Sequence, residues 1–246
     1  MAAAGGVVDG GRVEPAFVLL HSMLLGPSTW APVAARLAAS GAVAVVPSFV
    51  DVADLDDPPF WPRVAATVDD ALTRLPPHQP VVLVAHSNAG LLVPAVVRAA
   101  RRPVAGCLFV DASLPARTGP TPAATAERLA FLRTLATGGR LPQWTTWWSE
   151  DDVARLFPDR RTRSTVAAEQ PRLPLSYYEQ QLPVPAGWDR RPCGYLLFGP
   201  PYDRMADEAR ERGWDVDELP GGHLHQLVAP DAVAARLVAM TARWTT

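Results

Sequence analysis

No lysine and no isoleucine occur among the 246 residues, and Asn88 is the sole asparagine. The bias reads as GC-rich coding, so the one asparagine that survives it marks a position to follow. Cysteine is scarce too, with Cys107 and Cys193 alone. Two cysteines in a chain of this size make no disulfide framework, and neither has a metal-ligating neighbour at zinc spacing. Both are expected to be reduced core residues of a cytoplasmic protein, with no metal site. Charge of one sign is lacking as well: 23 basic against 25 acidic residues leave a formal net charge of -2. That excludes a general pull toward nucleic acid, and the local run Arg160, Arg161 and Arg163 reads as solvated surface. The first residues, Met-Ala-Ala-Ala-Gly-Gly, show neither the basic region nor the apolar stretch of a signal peptide. No apolar run reaches membrane-spanning length, so no membrane partner is expected.

What is present is an alternation of short apolar runs with helical patterns. Strands are predicted over 17–21, 43–47, 81–85, 106–111, 194–198 and 216–219, and helices over 30–40, 60–75, 88–101, 204–212 and 230–244. A short strand has room ahead of Phe17. This rhythm predicts an α/β fold, a mostly parallel sheet covered by helices on both faces. From about Pro115 to Arg191 it stops, in a stretch rich in proline, arginine and tryptophan with one helical pattern near 125–136. An interruption of that length is expected to be a folded lid rather than a bare loop. The expected organisation is a core in two parts, 1–114 and 192–246, with a lid insertion at 115–191.

The strand Val-Val-Leu-Val-Ala-His runs directly into Ser87-Asn88-Ala89-Gly90. A serine between a buried strand and a helix, with small residues two positions either side, has the pattern of a nucleophile elbow. Such a serine needs a base. Leu-Pro-Gly-Gly-His223-Leu-His225 offers one late in the chain, and His223 is favoured because it directly follows the Gly-Gly turn and stands seven residues before Pro230. His86 and His78 read as a packing and a surface residue.

His21-Ser22-Met23 with Trp30 downstream, Ala85-His86-Ser87-Asn88-Ala89-Gly90, and Gly222-His223 ahead of Pro230 resemble the α/β-hydrolase superfamily, and more narrowly small actinobacterial hydrolases. The resemblance covers nearly the whole chain apart from the insertion. It implies the α/β-hydrolase fold, a Ser-acid-His triad and acyl-transfer chemistry. By position, the backbone N–H groups of Met23 and Asn88 would form the oxyanion hole. Members usually carry His-Gly where this chain has His21-Ser22. Two residues compete for the acid. Asp203 follows the strand after the insertion, the usual place, but only twenty positions before His223; Asp111 ends the strand Gly-Cys-Leu-Phe-Val-Asp, the alternative place. Position favours Asp203.

His21, Ser22, Trp61, Trp144, Trp147 and Trp148 are the expected pocket residues. Aromatic side chains at this density, with Phe60, Tyr177, Tyr178 and Trp188, suit an apolar or planar group; they suit the core of a small lid equally. Glu169 and Arg172 are available for a polar contact. The expected activity is a serine-dependent hydrolysis of carboxylic esters, thioesters and lactones included, through an acyl-enzyme on a small molecule, with no metal or organic cofactor, by a monomer or homodimer. The same fold also hosts lyases, cyclases and acyltransferases, and an inactive ligand-binding protein is the alternative from another class.

Overall fold

The structure is a computed structural model that describes residues 14–245. The strand with room ahead of Phe17 lies outside the described residues. Six strands form one sheet: β1 (Ala16–Leu20), β2 (Ala44–Val45), β3 (Val81–His86), β4 (Val104–Val110), β7 (Cys193–Leu197) and β8 (Asp215–Glu218), in the order β2-β1-β3-β4-β7-β8 and parallel throughout. Strand pleat sorts the side chains. Val18, Leu20, Leu83, Ala85 and Phe109 face one core with Val64, Val68 and Leu72 of α2 (Trp61–Leu72) and Val93 and Val96 of α3 (Val93–Ala99). Phe17, Leu19, Val82, Val84 and Leu108 face the other, with Val33 and Leu37 of α1 (Ala31–Ala39) and Val233, Leu237 and Met240 of α10 (Pro230–Ala242). The central strands are buried on both faces, as an all-parallel sheet requires, which is why they read as continuous apolar runs rather than alternating ones.

The helix expected from Asn88 is shorter and begins differently. A 3₁₀ stretch spans Ser87–Leu92 and the α-helix starts at Val93. Pro94 explains this, because it lacks an N–H and is tolerated only in the first turn of an α-helix. The second expected strand keeps only Ala44–Val45.

Between β4 and β7 the chain builds a cap. An antiparallel pair, β5 (Thr121–Pro122) with β6 (Gln181–Leu182), encloses α4 (Ala126–Leu135), α5 (Glu150–Ala154), α6 (Arg160–Glu169) and α7 (Ser176–Glu179). Only α4 shows in the hydrophobic pattern. It spaces Leu129, Leu132 and Leu135 three apart against the core, whereas α5 and α6 each carry one large apolar residue, Val153 and Val166; all three begin at side-chain caps, where Thr125 accepts the Arg128 N–H at 3.1 Å, Ser149 the Asp152 N–H at 3.2 Å and Asp159 the Thr162 N–H at 2.8 Å. The Arg160-Arg161-Arg163 run lies on α6, where Arg163 pairs with Glu150. The cap is fastened to the core by Gln180, which accepts the Phe60 N–H at 3.1 Å, and by Glu169, which accepts the Ser28 N–H at 2.9 Å. That is the polar contact Glu169 makes; Arg172 is exposed. After β7 come α8 (Asp203–Glu211), then β8, and α9 (His225–Val228) before α10. Among the described residues no helix is long and apolar enough to cross a membrane.

Candidate active site

The carboxyl ends of β3 and β4 lie side by side, because His86 pairs in register with Val110. Immediately beyond them stand Ser87 at φ 59° and Asp111 at φ 45°. A left-handed conformation costs a non-glycine residue about 1–3 kcal/mol and persists only where surrounding structure enforces it. The enforcement is visible. Ser113 N–H donates to the Ser87 carbonyl at 3.0 Å, and a Cβ on Gly90 would lie 2.2 Å from the Ser113 carbonyl oxygen. Only glycine at position 90 lets the two turns approach this closely. Tyr195, fully buried on β7, braces the second turn by donating its hydroxyl to the Ala112 carbonyl at 2.9 Å while accepting the Ala112 N–H at 2.9 Å.

His223 arrives on the loop between β8 and α9 and completes the arrangement. Its Nδ1–H donates to Asp111 Oδ2 at 2.6 Å, and its Nε2 accepts from Ser87 Oγ at 3.0 Å. Asp111 is 1 % exposed, and its second oxygen accepts the backbone N–H groups of Phe198 at 3.1 Å and Gly199 at 3.4 Å. The carboxylate therefore has partners on both oxygens, as a buried charge requires. The preference for Asp203 is corrected by this geometry. Asp203 opens α8, is exposed to solvent, and makes no contact with His223. The residue that the β7 loop sends toward Ser87 is its neighbour Tyr202. The Tyr202 ring stacks on His223 with centroids 4.9 Å apart at 8°, and its hydroxyl lies 3.4 Å from Ser87 Oγ. Burial pushes the Tyr202 phenol up to about 12, so it stands protonated at neutral pH.

His225 is turned away, its ring edge-on to Phe198 at 5.4 Å. It folds back over Gly221, where a Cβ would meet its Nδ1 at 2.2 Å. His86 does more than pack: its Nε2–H donates to the His223 carbonyl at 2.8 Å and the two rings lie 4.6 Å apart. Burial and then the neighbouring His223 hold His86 well below the usual imidazole range. His78 lies exposed at φ 64°.

The expectation that His21 lines the pocket is corrected as well. It is fully buried; its Nε2 accepts the Phe49 N–H at 3.0 Å and its Nδ1–H donates to the Ser22 carbonyl at 2.8 Å. Burial holds it down to about 4, and the proton arrangement agrees, because a protonated Nε2 would face the Phe49 N–H donor to donor. His21 thus shapes the 21–25 loop from behind. At the front of that loop, the Ser22 hydroxyl donates to Asn88 Oδ1 at 3.0 Å and the Met23 N–H donates to the same oxygen at 2.9 Å. Asn88 Nδ2 in turn donates to the Tyr178 hydroxyl on α7 at 3.0 Å. The Met23 N–H, expected in the oxyanion hole, is therefore engaged by the Asn88 side chain. The Asn88 N–H belongs to the first turn of the 3₁₀ stretch, where N–H groups lack a partner within the helix.

Of the expected aromatic wall, Trp144 stands nearest, its ring 6.1 Å from His223. Trp148, 40 % exposed, lies edge-on to it at 4.8 Å. Trp147 lies behind Trp148, with centroids 5.6 Å apart, packs on Phe131 at 6.4 Å and donates its indole N–H to the Pro142 carbonyl, as a lid-core residue would. Trp61 opens α2, half-buried against the core beneath the cap. Ser87 is 8 % exposed and the His223 side chain 16 %. A surface depression of about 430 Å³ lies elsewhere, around Cys193, Trp214 and Trp244 at the opposite end of the strands. Cys193 and Cys107 face each other there in register as buried free thiols, and burial raises the Cys107 thiol. Among the described residues no cluster of three or more histidines, cysteines or carboxylates could hold a metal ion.

A model of the alpha/beta hydrolase family matches residues 17–236. The chain belongs to the α/β-hydrolase family. Solved structures of the same fold cover it almost end to end. An extracellular α/β-hydrolase from a Paenibacillus species is 17 % identical at a TM-score of 0.71, over 92 % of this chain and 99 % of that one. A methylesterase from Arabidopsis is 17 % identical at 0.67, over 92 % and 98 %. The thioesterase domain of the curacin biosynthetic pathway is 19 % identical at 0.58, over 91 % and 90 %. Comparison with curated protein sequences gave no match. At these identities the structural neighbours establish the fold of this α/β-hydrolase, and the chemistry rests on its own residues.

Proposed function

We propose that the protein is a serine-dependent hydrolase of carboxylic esters, thioesters and lactones included, acting on apolar or aromatic small molecules. The observation that carries this reading is the chain of two hydrogen bonds from Asp111 through His223 to Ser87, 2.6 Å and 3.0 Å long. Asp111 keeps the imidazole proton on Nδ1, which leaves Nε2 free to take the hydroxyl proton as Oγ attacks the carbonyl carbon. The imidazolium formed is stabilised by the buried carboxylate and returns the proton to the departing oxygen or sulfur. Water, activated by the same histidine, then cleaves the acyl-enzyme. The Asn88 and Met23 N–H groups are the donors for the developing oxyanion. Trp144 beside His223 and Tyr178 on the cap offer apolar faces to the acyl or alcohol part. This chemistry calls on no metal or organic cofactor, and no partner beyond the small-molecule substrate enters it.

A fluorophosphonate probe tests the reading directly. One adduct per chain is expected, lost in Ser87→Ala together with hydrolysis of p-nitrophenyl esters. Labelling that persists in the alanine variant, or a wild-type protein that neither labels nor hydrolyses, would overturn it.

A further inference from the structure

The side chain of the sole asparagine accepts a hydrogen bond from a donor that the reading above assigns to the substrate carbonyl. In the reading above, the carbonyl oxygen must accept the Met23 N–H; in the structure that N–H donates to Asn88 Oδ1 at 2.9 Å, and the Ser22 hydroxyl donates to the same atom at 3.0 Å. A carboxamide C=O receiving two donors from the 21–25 loop is a chemical stand-in for the bound carbonyl of an ester or amide. Its other end is not free either, since Asn88 Nδ2 donates to the Tyr178 hydroxyl, on a residue 5 % exposed that belongs to the cap. One short side chain thereby links the nucleophile turn, the oxyanion loop and the lid insertion.

We propose that Asn88 is a specificity-determining residue: its carboxamide takes up the oxyanion donors and, tied to Tyr178, yields them only to a substrate that also engages the cap. Entry of a carbonyl exchanges two hydrogen bonds at Oδ1 for those to the substrate. A molecule too small to reach α7 leaves the Tyr178 tie intact and must displace the amide against it. A larger one pressing on Tyr178 releases the amide as it binds. Net hydrogen bonds of ordinary strength make the resistance to a small reagent on the order of tenfold. The proposal rests on the serine-hydrolase reading, so its test must separate the two.

Diethyl p-nitrophenyl phosphate serves both purposes. It is too small to span to the cap, its phosphoryl oxygen enters the oxyanion site, and attack by Ser87 Oγ forms the O–P bond as p-nitrophenolate leaves and the hydroxyl proton passes to His223. The second-order rate is read from released p-nitrophenolate and the adduct from the mass of the protein. Asn88→Ala is expected to react about tenfold faster than wild type. Tyr178→Phe, which removes only the tie, is expected to react two- to threefold faster. An equal or slower rate in both variants overturns the proposal, because a residue that merely held the loop in place would slow the reaction when removed. If Asn88→Ala does not fold, the Tyr178→Phe rate decides alone by the same criterion. Absence of any adduct in wild type and both variants refutes the serine-hydrolase reading and the proposal with it, whereas reaction at unchanged rates refutes the proposal alone.

Discussion

Two loops leave neighbouring parallel strands at the same edge of the sheet, one after β4 and one after β7, and each begins with an apolar strand and carries an aspartate close to its end. They are treated very differently by the fold. Asp111 is held at a positive φ, 1 % exposed, with both carboxylate oxygens bonded; Asp203 is exposed at the start of a helix. The strand-end position matters less than what receives the carboxylate. The β7 loop contributes to Asp111 rather than competing with it, since Phe198 and Gly199 supply N–H groups to its second oxygen. In place of an acid it delivers the Tyr202 ring against His223.

The contrast would break most sharply at the carboxylates themselves. Asp111→Asn should lower kcat for p-nitrophenyl esters by a factor of about 10⁴ while leaving the fold intact, because an amide cannot hold the proton on Nδ1. If Asp203→Asn lost more activity than Asp111→Asn, the assignment of roles to the loops would be reversed.

Next in size is a dependence on pH that acts from behind the 21–25 loop. His21 titrates near 6.5 in the unfolded chain and about 4 in the fold. Above pH 6.5 neither state carries the proton and stability is complete. Between 6.5 and 4 the unfolded chain takes up a proton the folded one refuses, so stability falls, by roughly 3 kcal/mol once pH 4 is passed. His86 is shifted in the same direction and adds to the loss. Urea unfolding at pH 7 and pH 4.5 should show it, and a stability unchanged between them would mean that the buried imidazoles carry protons.

Tyr195→Phe removes the hydroxyl that serves both the N–H and the carbonyl of Ala112, leaving two buried backbone groups without their partner. A loss of about 1–3 kcal/mol in unfolding free energy is expected, with kcat falling because Asp111 loses its brace. The β7 loop should be more forgiving. Tyr202→Phe keeps the ring stacked on His223 and gives up only a 3.4 Å contact, so kcat should change less than tenfold. Smallest of all, Asp203→Asn should leave kcat within about twofold, as expected of an exposed side chain without a partner at the site.

Much of this was legible in the chain. The strands came through because burial on both faces leaves uninterrupted apolar runs, and the meeting of Ser87 with His223 because a strand-to-helix turn and a Gly-Gly turn leave local signatures. The aspartate that meets His223 was misplaced at Asp203, because aspartates following apolar strands look alike until backbone donors from a remote loop are placed on one of them. His21 was misread as lining the pocket since nothing local announces that Phe49 caps its ring. The cap helices α5 and α6 escaped because each has a single large apolar residue, where α4 spaces Leu129, Leu132 and Leu135 three apart, although Ser149 and Asp159 stood three residues ahead of the N–H groups they cap. Tyr202 had a signal that went unused: it adjoins the very aspartate that was weighed.

The two-residue pairing of β5 with β6 sets Thr121 opposite Leu182. The chain therefore leaves the sheet for the cap and returns from it at almost one point, like a drawstring pulled closed. Everything between is topologically a pendant, so lengthening or exchanging it alters loop-closure entropy only by about 0.6 kcal/mol per doubling. Ser87, Asp111 and His223 all lie outside the pendant. A cap of different size and lining, grafted at positions 121 and 182, would leave the hydrogen-bonded chain of Asp111, His223 and Ser87 in place and bring its own choice of molecule.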